Sequence, residues 1–160
     1  MSAPEAREAR VVRRFDARRE RVYDAWLDPA MLGHWMFGPE VRAEEIVRLV
    51  VHAHVGGAFS FVVRRGGTEV EHVGEYLALD RPRRLAFTWT VAGEQASSRV
   101  LVELAEVHGA TEITLVHELA PEWEGFAERA AAAWGVMLDA LAQALDGERG
   151  AGSLSRCPRA

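Results

Sequence analysis

Apolar residues recur at three- and four-residue steps in the last long segment of the chain, residues 121–146. The apolar side chains on this repeat are Phe126, Ala130, Trp134, Met137, Leu138, Leu141 and Leu145. Such spacing predicts one amphipathic helix, because residues three and four apart lie on the same helical face. A helix of about 25 residues would be roughly 37 Å long, which is enough to cover one face of a sheet.

Before this helix, apolar and polar residues alternate in short runs that are separated mostly by glycine turns. Alternation of this kind is typical of strands with one buried face. The predicted strands are residues 10–15, 41–54, 58–65, 68–79, 84–91, 98–107 and 111–119. The connections between the later strands are short, which favours a sequential antiparallel meander.

Two short helices are predicted between the first strand and the meander. The first covers residues 16–27, with Asp16 as its N-cap. Asp28 and Pro29 form an N-cap and first-turn pair for the second, and the Gly-Pro pair at 38–39 is expected to end it. This order of elements predicts an α+β fold in which a curved antiparallel sheet wraps around the long C-terminal helix. A cavity is expected between the sheet and that helix.

Composition and charge restrict the function classes. Apolar residues make up 49% of the chain and charged residues 27%, which is ordinary for a soluble globular domain. The formal net charge of −5 argues against a nucleic-acid partner, because phosphate binding needs a basic surface. We see no apolar run long enough for a membrane span and no signal peptide. With Cys157 as the single cysteine, a cytoplasmic location is expected.

Few residues suggest catalysis. All 19 basic residues are arginine, so chemistry that needs a lysine, such as a Schiff base or Walker-type phosphate binding, is excluded. None of the serines lies in a nucleophile-elbow sequence. His52 and His54 could form a metal-ligand pair on a strand, but further ligands are not evident nearby. We therefore expect no catalytic residue, no metal and no cofactor.

A family resemblance is carried by residues spread along the chain. They are Phe15-Asp16-Ala17, Val22-Tyr23-Asp24-Ala25-Trp26, Asp28-Pro29, Leu32, Trp35, Gly56-Gly57-Ala58-Phe59, Gly74-Glu75-Tyr76, Pro82, Arg84-Leu85-Ala86-Phe87-Thr88-Trp89, His117, Trp134, Leu138, Asp139 and Leu141. These residues resemble the SRPBCC (START-like) superfamily, and within it the branch named for the activator of the heat-shock-protein-90 ATPase. The resemblance spans residues 9–146, which we interpret as a single domain. Residues 147–160 are Gly-, Ser- and Arg-rich and are expected to form a disordered tail.

The resemblance implies a helix-grip fold with a hydrophobic cavity. Members of the superfamily bind lipids, sterols, polyketides or plant hormones, and some are cyclases or aromatases. The chain departs from the family pattern at Arg18-Arg19, where a proline is usual, and at Ala133, where a glycine is usual and Gly135 follows instead. The co-chaperone of this branch has a separate chaperone-binding domain that we do not see here. A homodimer is plausible from the resemblance.

The residues expected to line the cavity combine aromatic and polar side chains. They are Trp35, Phe59, Phe61, His72, Tyr76, Phe87, Trp89, His117, Trp134, Met137 and Leu138. His72 and Tyr76 would share one face of a strand and orient a ligand. His117 should point inward, where a lone histidine is more often hydrogen-bonded to a neighbour than catalytic. Gly135 is best explained by close packing of the helix on the sheet, with ligand approach as the alternative.

Three functions remain open. The first is a binding protein for a hydrophobic small molecule, and we favour it over an enzyme. The second is an enzyme of polyketide-cyclase or aromatase type, with His72, Tyr76 or His117 transferring a proton. The third is a protein-interaction module, which an exposed apolar patch without an interior cavity would favour.

Overall fold

The computed structural model describes residues 8–37, 44–93, 97–123 and 125–156. In chain order its elements are β1 (Glu8–Phe15), α1 (Arg19–Asp24), α2 (Pro29–Trp35), β2 (Glu45–Val51), β3 (Ala58–Arg65), β4 (Thr68–Asp80), β5 (Arg84–Val91), β6 (Ser98–Val107), β7 (Ala110–Glu118) and α3 (Ala127–Arg156). A single 3-10 turn, Pro121–Trp123, lies between β7 and α3. The α+β class is therefore confirmed. No helix among these residues is both long and apolar enough to cross a bilayer.

The seven strands form one antiparallel sheet in the order β1-β7-β6-β5-β4-β3-β2. Strands β2 to β7 are neighbours in sequence order, so the predicted meander is confirmed. The first strand, β1, joins the sheet beside β7 instead of β2, with Glu8 opposite Glu118 and Phe15 opposite Thr111. Helix α3 packs against β1 and α2. This is the helix-grip arrangement.

The buried residues follow the predicted periods. On β6 and β7, alternate side chains point into the core, including Val100, Val102, Ile113 and Leu115. On α3, the buried side chains are Trp134, Met137, Leu138, Ala140, Leu141 and Leu145. A strand with one buried face and a helix with one buried stripe thus meet in a single core.

Element ends differ from the prediction at α1. This helix begins after Arg18, which makes no capping hydrogen bond through its side chain, and Asp16 is not its N-cap. The Thr111 hydroxyl donates a hydrogen bond of 2.6 Å to the Ala17 carbonyl, which holds the chain against β7 before the helix begins. The second helix does begin with Asp28, whose carboxylate accepts a hydrogen bond from the Ala30 N–H. Residues 38–43, with the predicted helix end at 38–39, lie outside the described residues.

The C-terminal helix also has different ends. It begins at Ala127 instead of Pro121, after Gly125 with a φ of 95°, and Phe126 is exposed instead of lying on the buried face. It ends at Arg156 instead of Asp146, so residues 147–156 are helical where a disordered tail was predicted. Extending an existing helix avoids the cost of nucleation, which offsets the weak helix propensity of the glycines there. Residues 157–160 lie outside the described part of the chain.

Gly74 on β4 is placed directly opposite Phe59 on β3. A Cβ atom at position 74 would overlap both the Phe59 ring and the Thr88 carbonyl oxygen. The missing side chain therefore allows the Phe59 ring to lie across β4. From that position Phe59 stacks on Phe61, with ring centroids 4.7 Å apart.

We predict that Gly74→Ala lowers the free energy of unfolding by about 2 kcal/mol, because the added methyl group overpacks a filled site. Gly33→Ala is the matched control, since its Cβ would meet Ile46 and Leu49 at ordinary distances of 3.5 and 3.6 Å. Gly33 lies within α2, so alanine there should be neutral or stabilising by up to about 1 kcal/mol. Urea unfolding followed by circular dichroism measures both variants. Equal stabilities of the two variants would contradict the overlap at Gly74.

Candidate functional site

The described residues leave a small void between the sheet and residues 26–36, and no residue of the C-terminal helix lines it. This void has a volume of about 10 Å³, whereas pockets for small molecules measure roughly 300–1,000 Å³. It is lined by Trp26, Leu32, Met36, Phe59, Phe61, Tyr76, Leu85, Phe87 and Trp89. A space of this size holds at most about one water molecule.

Aromatic rings fill the interior. Phe59 lies among them, with centroid distances of 5.5 Å to Tyr76, 5.6 Å to Phe87 and 5.9 Å to Trp89. These separations lie in the range of favourable edge-to-face and offset contacts. The predicted aromatic lining thus exists as a packed cluster in this structure.

An open cleft of about 310 Å³ lies at one end of the sheet. Its lining residues come from the ends of β3, β5, β6 and β7, from β4 and from the 3-10 turn. They are Arg65, His72, Trp89, Thr90, Val91, Ser98, His117, Leu119 and Trp123. Trp89 lines both the cleft and the interior void, so its side chain forms a wall between them.

A chain of hydrogen bonds runs along one side of this cleft. The Trp134 indole N–H donates to Nδ1 of His117 over 3.0 Å. An indole nitrogen is only a donor, so Nδ1 carries no proton and a neutral His117 must carry its proton on Nε2. Nε2 lies 2.7 Å from the Ser98 hydroxyl oxygen and donates to it. The Ser98 hydroxyl in turn donates to the Trp89 carbonyl oxygen over 2.9 Å.

The direction of these bonds decides what His117 can do. Burial lowers the pKa of His117 from its ordinary value near 6.5 to about 4, so the ring is neutral at pH 7. Activation of a serine needs an unprotonated nitrogen facing the hydroxyl, but the Nε2 of His117 already holds a proton. The pair therefore has the wrong polarity for a nucleophilic serine. These bonds agree with the expectation that His117 points inward and forms hydrogen bonds with its neighbours.

His72 and Tyr76 do not meet in one site. His72 lines the cleft, where its ring stacks on Trp89 at a centroid distance of 5.3 Å. Tyr76 lines the interior void instead, and burial, with a smaller contribution from Tyr23, raises the pKa of its phenol. The Phe59 ring lies over Gly74, which is placed between the two residues on β4.

The predicted lining residues divide into three groups. Those at the void are Phe59, Phe61, Tyr76, Phe87 and Trp89, and those at the cleft are His72, Trp89 and His117. Trp35, Trp134, Met137 and Leu138 line neither space and are buried in the core. The Trp35 indole N–H donates a hydrogen bond of 3.0 Å to the Ala25 carbonyl oxygen, and the Trp134 indole N–H donates one to His117.

Sequence reasoning missed several cleft residues, namely Thr90, Val91, Ser98, Leu119 and Trp123. Ser98 lies opposite Trp89 in the β5–β6 hairpin. The register of that hairpin, worked out from the sequence, could therefore have placed Ser98 beside Trp89. Trp123 was assigned to the long helix, but it belongs to the preceding 3-10 turn, which brings it to the cleft.

The structure explains the glycine inside the long helix, Gly135, and shows where the candidate metal ligands His52 and His54 lie. A Cβ atom at Gly135 would lie 2.8 Å from Nη2 of Arg13, whose Nε donates to Asp139 over 3.0 Å. Gly135 thus leaves room for the Arg13 side chain of β1 against α3, in agreement with close packing of the helix on the sheet. His52 and His54 follow the end of β2 and are exposed. The described residues contain no group of three or more potential metal ligands.

The buried, neutral His117 generates a prediction about pH. Between pH 6.5 and about 4 the unfolded chain binds a proton that the folded protein does not. The contribution of His117 to stability is therefore complete above pH 6.5 and decreases as the pH falls towards 4, by about 3 kcal/mol in total. Chemical denaturation across this range measures the loss.

His117→Gln is the control for this prediction, because an amide can accept from Trp134 and donate to Ser98 without titrating. The acid-induced loss of unfolding free energy should be smaller in this variant by about the same 3 kcal/mol. An equal loss in the parent and the variant would show that other groups cause it.

Comparison with known proteins agrees with this architecture. The family model described as "Activator of Hsp90 ATPase homolog 1-like protein" matches residues 16–146. A crystal structure of a Chromobacterium violaceum protein has a TM-score of 0.73 and 28% identity, over 86% of this chain and 95% of that one. A Rhodobacter sphaeroides protein has a TM-score of 0.74 and 25% identity, over 91% and 94% of the two chains.

A Nitrosomonas europaea protein has a TM-score of 0.75 over 91% of this chain and 97% of that one, and at 19% identity it shows the fold alone. A search of curated proteins found no significant match. The family model covers most of the chain, and the solved structures share its helix-grip fold. This chain therefore belongs to the family of Activator of Hsp90 ATPase homolog 1-like proteins, within the SRPBCC (START-like) superfamily.

Proposed function

We propose that this protein binds a hydrophobic small molecule in the cleft at the end of the sheet. The observation that carries the proposal is the cleft itself, whose volume of about 310 Å³ lies at the lower end of the range for small-molecule sites. The proposed site differs from the cavity that the resemblance implies between the sheet and the C-terminal helix, because the cleft lies at the end of the sheet.

The lining of the cleft suits an apolar ligand with a few polar groups. Trp89, Val91, Leu119 and Trp123 supply apolar surface, and Thr90 and Ser98 supply hydroxyl groups. Mixed linings of this kind bind the apolar body of a ligand and fix its orientation. Arg65 also lines the cleft, but its charge is matched by an ion pair with Glu44.

A larger groove elsewhere on the protein is a poorer candidate. It measures about 530 Å³ and is lined mainly by charged residues of both signs, including Arg83 and Asp80, which form an ion pair of 3.0 Å. Such a surface is well solvated and offers little apolar area. The cleft beside Trp89 is therefore the better site for a hydrophobic molecule.

A second candidate function is protein interaction. The small interior void and the exposed aromatic pair Trp123 and Phe126, which are 37% and 39% exposed, favour it. These rings lie 5.3 Å apart in an edge-to-face arrangement beside the cleft. A protein partner would cover this pair from outside, whereas a small molecule would enter the cleft next to it.

We predict that Val91→Trp, which places a large ring in the cleft, weakens binding of a hydrophobic probe at least about tenfold by occupying its space. The probe is 2-acetylnaphthalene. Its binding is followed by the change in tryptophan fluorescence as the probe is added, because Trp89 and Trp123 line the cleft. Val55→Trp is the matched control, since Val55 is 62% exposed and does not line the cleft.

The parent protein and Val55→Trp should bind the probe alike. Equal affinity of all three proteins would place the probe outside the cleft, and no binding by the parent would overturn the small-molecule proposal in favour of the interaction candidate. Native mass spectrometry of the same samples would count bound probe molecules and test whether the protein is a homodimer.

A further inference from the structure

The indole N–H of Trp26, in the aromatic interior, has no hydrogen-bond acceptor among the described residues. Trp26 is 3% exposed, so this donor is buried. The other two fully buried tryptophans do have partners, since Trp35 donates to the Ala25 carbonyl and Trp134 donates to His117. A buried donor without an acceptor costs roughly 1–3 kcal/mol. Such groups are rare and call for an explanation.

Trp26 lines the interior void. The other lining residues, given above, are hydrocarbon side chains together with Met36, Tyr76 and Trp89, and none of them carries a charge. The space beside the Trp26 indole is therefore apolar, with very few hydrogen-bonding groups. A neutral ligand oxygen could accept a hydrogen bond from the indole there. An ionised ligand group would lose its hydration without a charged partner, which costs too much free energy.

The void and the cleft are neighbours with one shared wall. Trp89 lines both spaces, and Trp26 and Trp89 each lie close to Trp134, at centroid distances of 6.0 and 5.9 Å. The backbone of Trp89 is fixed by its pairing with Ser98 and by the Ser98 hydroxyl. Its side chain is half-buried, and Trp89 is the residue that lines both spaces.

We propose that Trp26 is the hydrogen-bond donor that recognises an acceptor oxygen on the ligand, at the inner end of a site that begins in the cleft. The inference rests on the proposed small-molecule function and narrows the ligand class. That class is a neutral, largely apolar ring system with a ketone, ester or ether oxygen. The oxygen reaches Trp26 when the ligand displaces the Trp89 ring.

A pair of probes of similar shape tests this assignment. 2-Acetylnaphthalene carries a ketone group, and 2-ethylnaphthalene has a methylene group in place of that carbonyl. The native protein should bind the ketone about fivefold to tenfold more tightly, which is the value of one matched neutral hydrogen bond. In Trp26→Phe this preference should disappear, so the ratio of the two affinities should fall to about one whatever the change in either affinity alone.

Nuclear magnetic resonance provides a second readout on the unaltered protein. The indole ¹H–¹⁵N resonance of Trp26 should move further downfield with 2-acetylnaphthalene than with 2-ethylnaphthalene, whose ring causes only a ring-current shift. Trp123→Phe is the control variant, because Trp123 lines the cleft but not the void. It should weaken both probes to a similar extent and keep the preference for the ketone.

The outcomes separate this inference from the proposed function. If the native protein binds both probes equally and the Trp26 resonance shifts no further with the ketone than with the hydrocarbon, the Trp26 assignment is overturned while ligand binding in the cleft stands. If neither probe binds to the native protein, the small-molecule function fails and the Trp26 assignment fails with it. A ketone preference that survives in Trp26→Phe would show that another donor recognises the oxygen.

Discussion

The hydrogen bond from the Trp134 indole to His117 joins the C-terminal helix to the sheet, and the cleft depends on it. It places the acceptor nitrogen of His117 towards α3 and therefore its proton towards Ser98. The Ser98 hydroxyl then donates to the Trp89 carbonyl oxygen, which fixes the end of β5. One helix residue thus sets the hydrogen-bond directions of His117 on β7 and Ser98 on β6 and of the β5 backbone, because the indole can only donate and each later direction follows from it.

A second constraint is the absence of a side chain at Gly74. The Phe59 ring occupies the space above β4 and, with its aromatic neighbours, reduces the interior to a void of about 10 Å³. The interior void and the outer cleft are therefore two separate spaces in this structure. Because protein interiors are packed as densely as organic crystals, opening the core requires a ring to move. Trp89 lies at the boundary, because it lines both spaces.

The sequence predicted the fold well. The predicted ends of β3, β5 and β6 are confirmed, and β6 alternates clearly between buried and exposed side chains. For the site, the residues expected to line a cavity stay a prediction: Phe59 and Phe87 line the small void, whereas Trp35 and Leu138 are buried in the core. Periodicity reports which side of an element is buried. It does not report whether the buried side chains enclose a space or fill it.

The sequence by itself determined the family, the α+β class, the meander and the buried faces, because these follow from local periodicity, turn residues and motifs along the chain. Only the tertiary structure decided the tautomer of His117, the unmatched indole of Trp26 and the separation of His72 from Tyr76. These depend on distances between residues that are far apart in the sequence. Such distances are set by how α1, α3 and the strands pack together, and no local pattern contains them.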